Sequence, residues 1–178
     1  MTTPPSISVE PPRAPGIERL LDAGIADARS LYPTDPVGLL DASQLEAPGT
    51  LVYVARGHDG EALGVAAIVD GGDVDDDRGE LRRMYVDPVA RGRGIASALI
   101  ERIETDAAAR GLREIVLEAG RLHHPALALY AKHGYRRVER FGRYLNEPTS
   151  VCMAKSLVGF TGGAIGEDPF DLPLAVGE

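Results

Sequence analysis

The sequence predicts a mixed α/β domain of the α+β kind, built on one largely antiparallel sheet. Strand-like and helix-like stretches follow one another over residues 6–157 in the order strand, helix, three strands, helix, strand, helix, two strands. The three consecutive strands are joined by short polar turns, so they read as hairpins rather than βαβ units. At 178 residues, 44% hydrophobic and 26% charged, the chain is long enough to bury one core, and a single domain is expected.

Ser6-Ile-Ser-Val-Glu10 alternates as a short strand, and the prolines around it (Pro4, Pro5, Pro11, Pro12, Pro15) place it at a sheet edge. From Gly16 the period changes. Ile17, Leu20, Leu21, Ile25 and Ala28 recur at helical spacing as far as Tyr32, where Pro33 stops the helix. Residues 33–50 read as a loop with one short helical turn near Ala42–Leu45, the kind of insertion that walls a binding site.

Leu51–Ala55 and Ala62–Val69 form a hairpin across His58-Asp-Gly60, and the acidic turn Gly71–Asp77 leads into the strand Glu80–Val86. The turn acids Asp75–Asp77 read as solvated charges, or as a lure for a cationic amine if they stand at a site's mouth. A helix follows from Gly94 to Arg110, with Ile95, Leu99 and Ile103 on one face and Gly111 at the position after the cap. Glu114–Glu118 is a strand, Pro125–His133 a short helix, and Tyr135–Arg140 and Ser150–Lys155 are strands flanking a loop that holds Phe141-Gly-Arg-Tyr144. Segment 1–5 is expected to be disordered. Residues 158–178, with four acids, no base and several Gly and Pro, are expected to be a flexible acidic tail.

Charge and cysteine content narrow the function. Lys+Arg 19 against Asp+Glu 27 leaves a net charge of −8, which argues against a nucleic-acid or anionic-membrane partner. The one cysteine, Cys152, cannot form an internal disulfide and is too few for a cysteine zinc site. No apolar run approaches the ~20 residues of a membrane span, and the first fifteen residues lack a signal-peptide pattern, so a cytoplasmic protein is expected.

Arg91-Gly-Arg-Gly-Ile-Ala96 falls where the strand 80–86 hands over to the helix beginning at Gly94. The first-turn amides of a helix have no intrahelical acceptor and its dipole is positive there, so glycines at this junction either make a tight turn or cradle a diphosphate. A G-x-x-x-x-G-K-[ST] motif is absent. Gly92-Arg-Gly94-Ile-Ala-Ser97 offers only Ser97 where the dinucleotide fingerprint needs its third small residue.

With these residues in view, the chain resembles the GNAT superfamily, the GCN5-related N-acetyltransferases. Arg91–Ala96 matches the family's [Q/R]-x-x-G-x-[G/A] acyl-CoA signature, preceded by Glu80-Leu-Arg-Arg-Met-Tyr-Val-Asp-Pro88 and followed by Ala126-Leu-Ala-Leu-Tyr-Ala-Lys-His-Gly-Tyr135. The likeness covers about residues 6–157 and is strongest over 80–140. Leu117–Gly120, Phe141–Tyr144 and Ser150–Cys152 look like a bacterial branch of the family.

The resemblance implies a sheet of six to seven strands splayed between the fourth and fifth, with acetyl-CoA as donor. Backbone groups of Met84, Tyr85 and Val86 would hold the pantetheine arm and the N–H groups of Arg91, Gly92, Arg93, Gly94, Ile95 and Ala96 the pyrophosphate, with Ser97 also among the residues that bind the cofactor. Arg93 and Lys132 could pair with phosphates, or be ordinary surface charges. His123 stands where many relatives have an asparagine that binds pantetheine.

Acyl transfer to an amine needs a base for the amine and an acid for the departing thiolate. Tyr130 is in the family's general-acid position, although by periodicity alone it is a packed aromatic. Glu80, eleven residues before Arg91, and Glu118, at the end of the next strand, compete as base. Cys152 reads as core, so direct transfer within a ternary complex is expected. Tyr32, the 33–50 loop, Phe141 and Tyr144 are expected to wall the acceptor pocket. The reading is an N-acetyltransferase acting on the primary amine of a small molecule, with no metal and with a homodimer allowed. The alternatives are a protein lysine or N-terminal acetyltransferase and a non-catalytic acyl-CoA sensor.

Overall fold

The computed structural model describes residues 4–34, 38–71 and 73–159. The expectation for the tail 158–178 lies almost wholly outside them, and that for segment 1–5 in large part. Ten regular elements follow the expected order: β1 (Ser6–Val9), α1 (Ile17–Leu31), β2 (Thr50–Arg56), β3 (Ala62–Asp70), β4 (Arg78–Val86), α2 (Ile95–Ala109), β5 (Glu114–Gly120), α3 (His124–Lys132), β6 (Arg136–Val138) and β7 (Ser150–Ser156). Three short 3₁₀ turns lie at Gln44–Glu46, Pro88–Ala90 and Gly142–Tyr144.

The seven strands form one sheet in the order β1-β2-β3-β4-β5-β7-β6. Every neighbouring pair is antiparallel except β4 and β5, which run parallel because α2 carries the chain across between them. Their ladder spans only Arg78↔Glu114 to Leu81↔Leu117. Beyond Leu81 and Leu117, residues 82–85 and 118–120 line opposite sides of a cleft. The expected splay is therefore the widening between these two strands.

Both faces of the sheet are covered, which is why β2 and β3 read as nearly unbroken apolar runs. Tyr53, Ala55, Ala66 and Ile68 pack on the α2 side with Ile95, Leu99, Ile100 and Ile103. Val52, Val54, Val65 and Ala67 face the other way, against Ile17, Leu20, Leu21 and Leu45. The period of two survives, but it sorts residues between two cores rather than between core and water.

Chain punctuation follows local chemistry. Gly16 and Gly94 cap α1 and α2 at φ of 83° and 76°, left-handed values that suit glycine. α2 ends in a Schellman motif: Leu112 N–H donates to Ala107 O and Gly111 N–H to Ala108 O, with Gly111 at φ 89° and Leu112 buried beyond it. The strand expected over 135–140 is shorter in the structure, because Tyr135 is buried and Arg140 turns to the Ser150 carbonyl at 3.1 Å. β6 is left as a short, exposed, arginine-bearing edge. No helix among the described residues is long and apolar enough to cross a membrane.

Leu99 is fully buried between α2 and the sheet. Leu99→Ala should lower unfolding stability by about 2–5 kcal/mol, measured by urea denaturation.

Candidate active site

A cleft of about 200 Å³ opens at the splay. Its walls come from the C-terminal half of α1 (Gly24, Ala28, Leu31) and Tyr32 just beyond it, from β4 (Leu81 to Tyr85), from the end of β5 (Glu118 to Gly120), from α3 (Ala126, Leu129, Tyr130) and from the approach to and start of β7 (Glu147, Thr149, Ser150). Thr34 and Leu39 of the 33–50 loop and His123 complete it.

β4 is irregular where it leaves β5. Ala67 pairs with Arg82 but Val65 with Tyr85, so β4 carries one residue more than β3, and Arg83 takes a left-handed φ of 58°. A bulge of this kind bends the strand and interrupts the ladder. Met84, beyond the bulge, lines the cleft, where the resemblance implies a pantetheine arm.

At the same end of the sheet, α2 presents its first turn. Among the described residues the six amides from Gly92 to Ser97 find no backbone acceptor, whereas Arg91 N–H reaches Pro88 O at 3.4 Å and Ala98 N–H reaches Gly94 O at 3.0 Å. Gly92 and Gly94 have φ of 75° and 76°, and a Cβ on either would meet nothing within 4 Å. The turn is thus open, donor-rich and at a helix dipole's positive end, a fit for a diphosphate. Ile95 is 2% exposed with its side chain in the core, so only its backbone is available.

The Arg91 side chain faces away from this duty. It donates to Val86 O at 3.0 Å, pairs with Asp27 of α1 at 3.1 Å and lies 5.3 Å over the Tyr85 ring. Arg91 therefore fastens the end of β4 to α1. Ser97 Oγ lies 2.9 Å from His133 Nε2, and Arg93 and Lys132 are exposed.

Tyr130 lies on α3, 6% exposed, with its ring edge-on to Tyr135 at 5.8 Å. Burial, with a smaller push from Glu118, raises its phenol well above the ordinary tyrosine value, so it stays protonated at neutral pH. Glu118, near the end of β5, is a carboxylate in the lining of the same cleft. Burial raises its pKa, against a hydrogen bond from Ser150 that lowers it. Burial also lowers the pKa of the half-buried His123, which favours the neutral ring.

Glu80 is placed otherwise than a cleft base would be. It is 2% exposed and outside the cleft lining. Its carboxylate accepts from Tyr144 Oη at 2.8 Å, stands 3.6 Å from Arg82 Nε and 3.4 Å from Arg143 Nη1, and Arg143 in turn holds Asp73 at 2.8 Å. Arg82 also donates to Gly38 O. The network ties the 141–145 loop, β4 and residue 38 into one unit.

Phe141 and Tyr144, expected in the acceptor wall, stand outside the lining for the same reason. Tyr144 is drawn onto Glu80, and Phe141 packs edge-on against it at 5.5 Å. Tyr32 does line the cleft, its hydroxyl accepting from Leu122 N–H at 2.9 Å. A Cβ on Gly120 would overlap that tyrosine ring. Asp75–Asp77 do not line the cleft; Asp75 lies 3.7 Å from Arg78 and the Asp77 carbonyl accepts from Arg113 N–H. Cys152 is buried on β7, also outside the lining, and burial pushes its thiol pKa up.

Sequence reasoning passed over Arg82, Arg83 and Arg143. Two successive arginines in an otherwise apolar strand were the available signal for the first two; nothing in the local pattern marks Arg143.

The profile of the Acetyltransferase (GNAT) family matches residues 17–135. The chain belongs to the GNAT acetyltransferase family. It is 36% identical over 152 residues to the IAA acetyltransferase of Azospirillum brasilense, covering 85% of this chain and 97% of that one. Among solved structures, a Klebsiella pneumoniae protein of the acyl-CoA N-acyltransferase type superposes with a TM-score of 0.75 at 31% identity, covering 86% and 97% of the two chains. An aminoglycoside 6′-N-acetyltransferase complexed with coenzyme A has the same fold, with a TM-score of 0.62 at 18% identity over 85% of this chain and 97% of that one. This GNAT protein is an acyltransferase, and its family draws the acyl group from acetyl-CoA.

Tyr144→Phe should leave the buried Glu80 carboxylate short of its nearest donor. The expected loss is about 1–3 kcal/mol of folding stability, read by urea denaturation.

Proposed function

We propose that this protein transfers the acetyl group of acetyl-CoA directly to the primary amine of a small-molecule acceptor, both substrates being bound together. The observation that carries the reading is that Glu118 and the protonated Tyr130 line the same cleft, close enough for the Glu118 carboxylate to act on the phenol. The free amides of Gly92 to Ser97 mark the end of the molecule that would hold the donor's diphosphate.

The roles follow from charge. Glu118, directly or through water, takes a proton from the acceptor ammonium, and the resulting amine attacks the thioester carbonyl carbon. A carbon–nitrogen bond forms and the carbon–sulfur bond breaks. Tyr130 gives its phenolic proton to the leaving sulfur and is reprotonated by the one proton that the attacking amine sheds as the amide forms, the amide keeping its remaining N–H. The backbone amide of the bulged segment near Met84 is suited to orient the donor's arm, and His123, neutral and in the lining, to border it. Cys152 plays no covalent part, because it is buried away from the cleft with a raised pKa. The apolar character of Leu31, Leu39, Met84 and Leu129 around the cleft favours a small acceptor that excludes water from the thioester.

Thiol release from acetyl-CoA, measured against a panel of amines with a no-acceptor control, tests transfer itself. Release no faster than the control across amino acids, polyamines and aminoglycosides would defeat the reading. Tyr130→Phe should reduce kcat by about 10²-fold or more while acetyl-CoA affinity stays within about twofold, and an unchanged kcat would remove the acid assignment. Because burial raises the Glu118 pKa and the base works only when ionised, kcat/KM should fall as pH drops through a midpoint above the ordinary carboxylate range. Glu118→Gln should lower kcat and abolish that limb of the profile.

A further inference from the structure

The two arginines of β4 have unequal surroundings. In a regular strand consecutive side chains point to opposite faces, yet Arg82 is paired with Ala67 of the core on the α1 side, and Arg83 donates to Leu21 O of α1 at 2.6 Å. The bulge makes this coincidence. Arg83 sits at φ 58°, a conformation that costs a residue with a Cβ energy and persists where surrounding structure or function holds it.

Arg82 is compensated, with Glu80 at 3.6 Å. Arg83 is not: it lines the cleft, its Nη1 is buried without a hydrogen-bond partner, and no carboxylate among the described residues comes within 4 Å. Asp22 and Asp41 act on it only from a distance. Burial and the neighbouring Arg82 pull its pKa down to about 10, so the charge is still present at neutral pH. A half-buried cation without a carboxylate partner is costly, and a guanidinium is shaped to take a carboxylate through two parallel hydrogen bonds.

Apart from Arg82, which Glu80 accompanies, the other charged residues in the lining are acidic and come from the far side of the splay, Glu118 on β5 and Glu147 before β7. Positive charge on the β4 wall and negative charge on the β5 wall match a molecule that carries both an anion and an ammonium. Resting on the acetyl-transfer reading of the same cleft, we infer that the acceptor is an α-amino acid or close aminocarboxylate with an apolar substituent, its carboxylate bound by Arg83 and its amine presented to Glu118 and Tyr130. The substituent would lie against Leu31, Leu39 and Met84. Arg83, a lining residue next to the bulge, is then the residue that sets specificity.

The test compares acids with their neutral amides. Leucine, methionine and phenylalanine are assayed against leucinamide, methioninamide and phenylalaninamide for thiol release. In parallel, binding of the N-acetylated acids and N-acetylated amides is measured by calorimetry in the presence of CoA, which probes the pocket without any chemistry. The full-length protein should favour the acid of each pair by about 10- to 100-fold, the range of a charge-assisted hydrogen bond. In Arg83→Gln, which keeps a donor for Leu21 O, the acid-to-amide ratio should fall to near one, and Arg83→Lys should restore part of it.

Amide binding equal to or tighter than acid binding in the unmutated protein overturns the inference, as does a failure of all three N-acetylated acids to bind. A preference that persists in Arg83→Gln removes Arg83 from it. Acetylation of the amides without any acid preference would leave the transfer reading standing while this one falls. Selective acid binding with no transfer to any amine would have the reverse meaning.

Discussion

Four residue pairs join β4 to β5, and the site depends on the ladder stopping there. Parallel pairing from Arg78 to Leu81 fixes the distance and direction of the two strands, and the bulge at Arg83 then sends β4 out of register with what would be its next partners. Every wall of the cleft takes its position from that divergence. α1 lies across the opening, α3 follows directly from β5, and the first turn of α2 stands at the end of β4. A sheet that paired β4 with β5 along their full lengths would have no such cleft at its centre.

The proposed catalytic pair relies on one shared buried setting for two groups of ordinary chemistry. Burial keeps the Tyr130 phenol protonated, and burial also brings Glu118 closer to neutrality, so one low-dielectric cleft prepares a donor and an acceptor at once. Glu80, a carboxylate two ladder positions removed on the neighbouring strand, has a different fate because Tyr144, Arg82 and Arg143 surround it. Its charge is spent on holding the 141–145 loop and residue 38 to the sheet.

Much of the fold was legible because the apolar period changes cleanly between elements and glycines stand at the helix ends. The diphosphate-type turn was legible too, since Gly92 and Gly94 precede an amphipathic helix and their left-handed φ values are what glycine permits. The site was readable only in part. Tyr130 and Glu118 could be named from motif and strand position, but nothing local distinguishes Glu80 from Glu118. That distinction is made by Tyr144 and Arg143, more than sixty residues away in the chain. The direction of Arg83 was hidden for a related reason: alternation predicts opposite faces for neighbours in a strand, and one inserted residue cancels it.

The strand order carries a consequence for how the molecule is assembled. β7, the last element of the sheet, is inserted between β5 and β6, and β6 pairs with β7 alone. During synthesis, residues 136–138 therefore have no sheet neighbour until residues 150–156 have emerged, and β5 has an open edge for the same interval. Glu118 lies on that edge, opposite Cys152 in the finished register. The hairpins of the N-terminal half can close early on local contacts, whereas the carboxylate proposed as base acquires its final environment only when the end of the domain arrives.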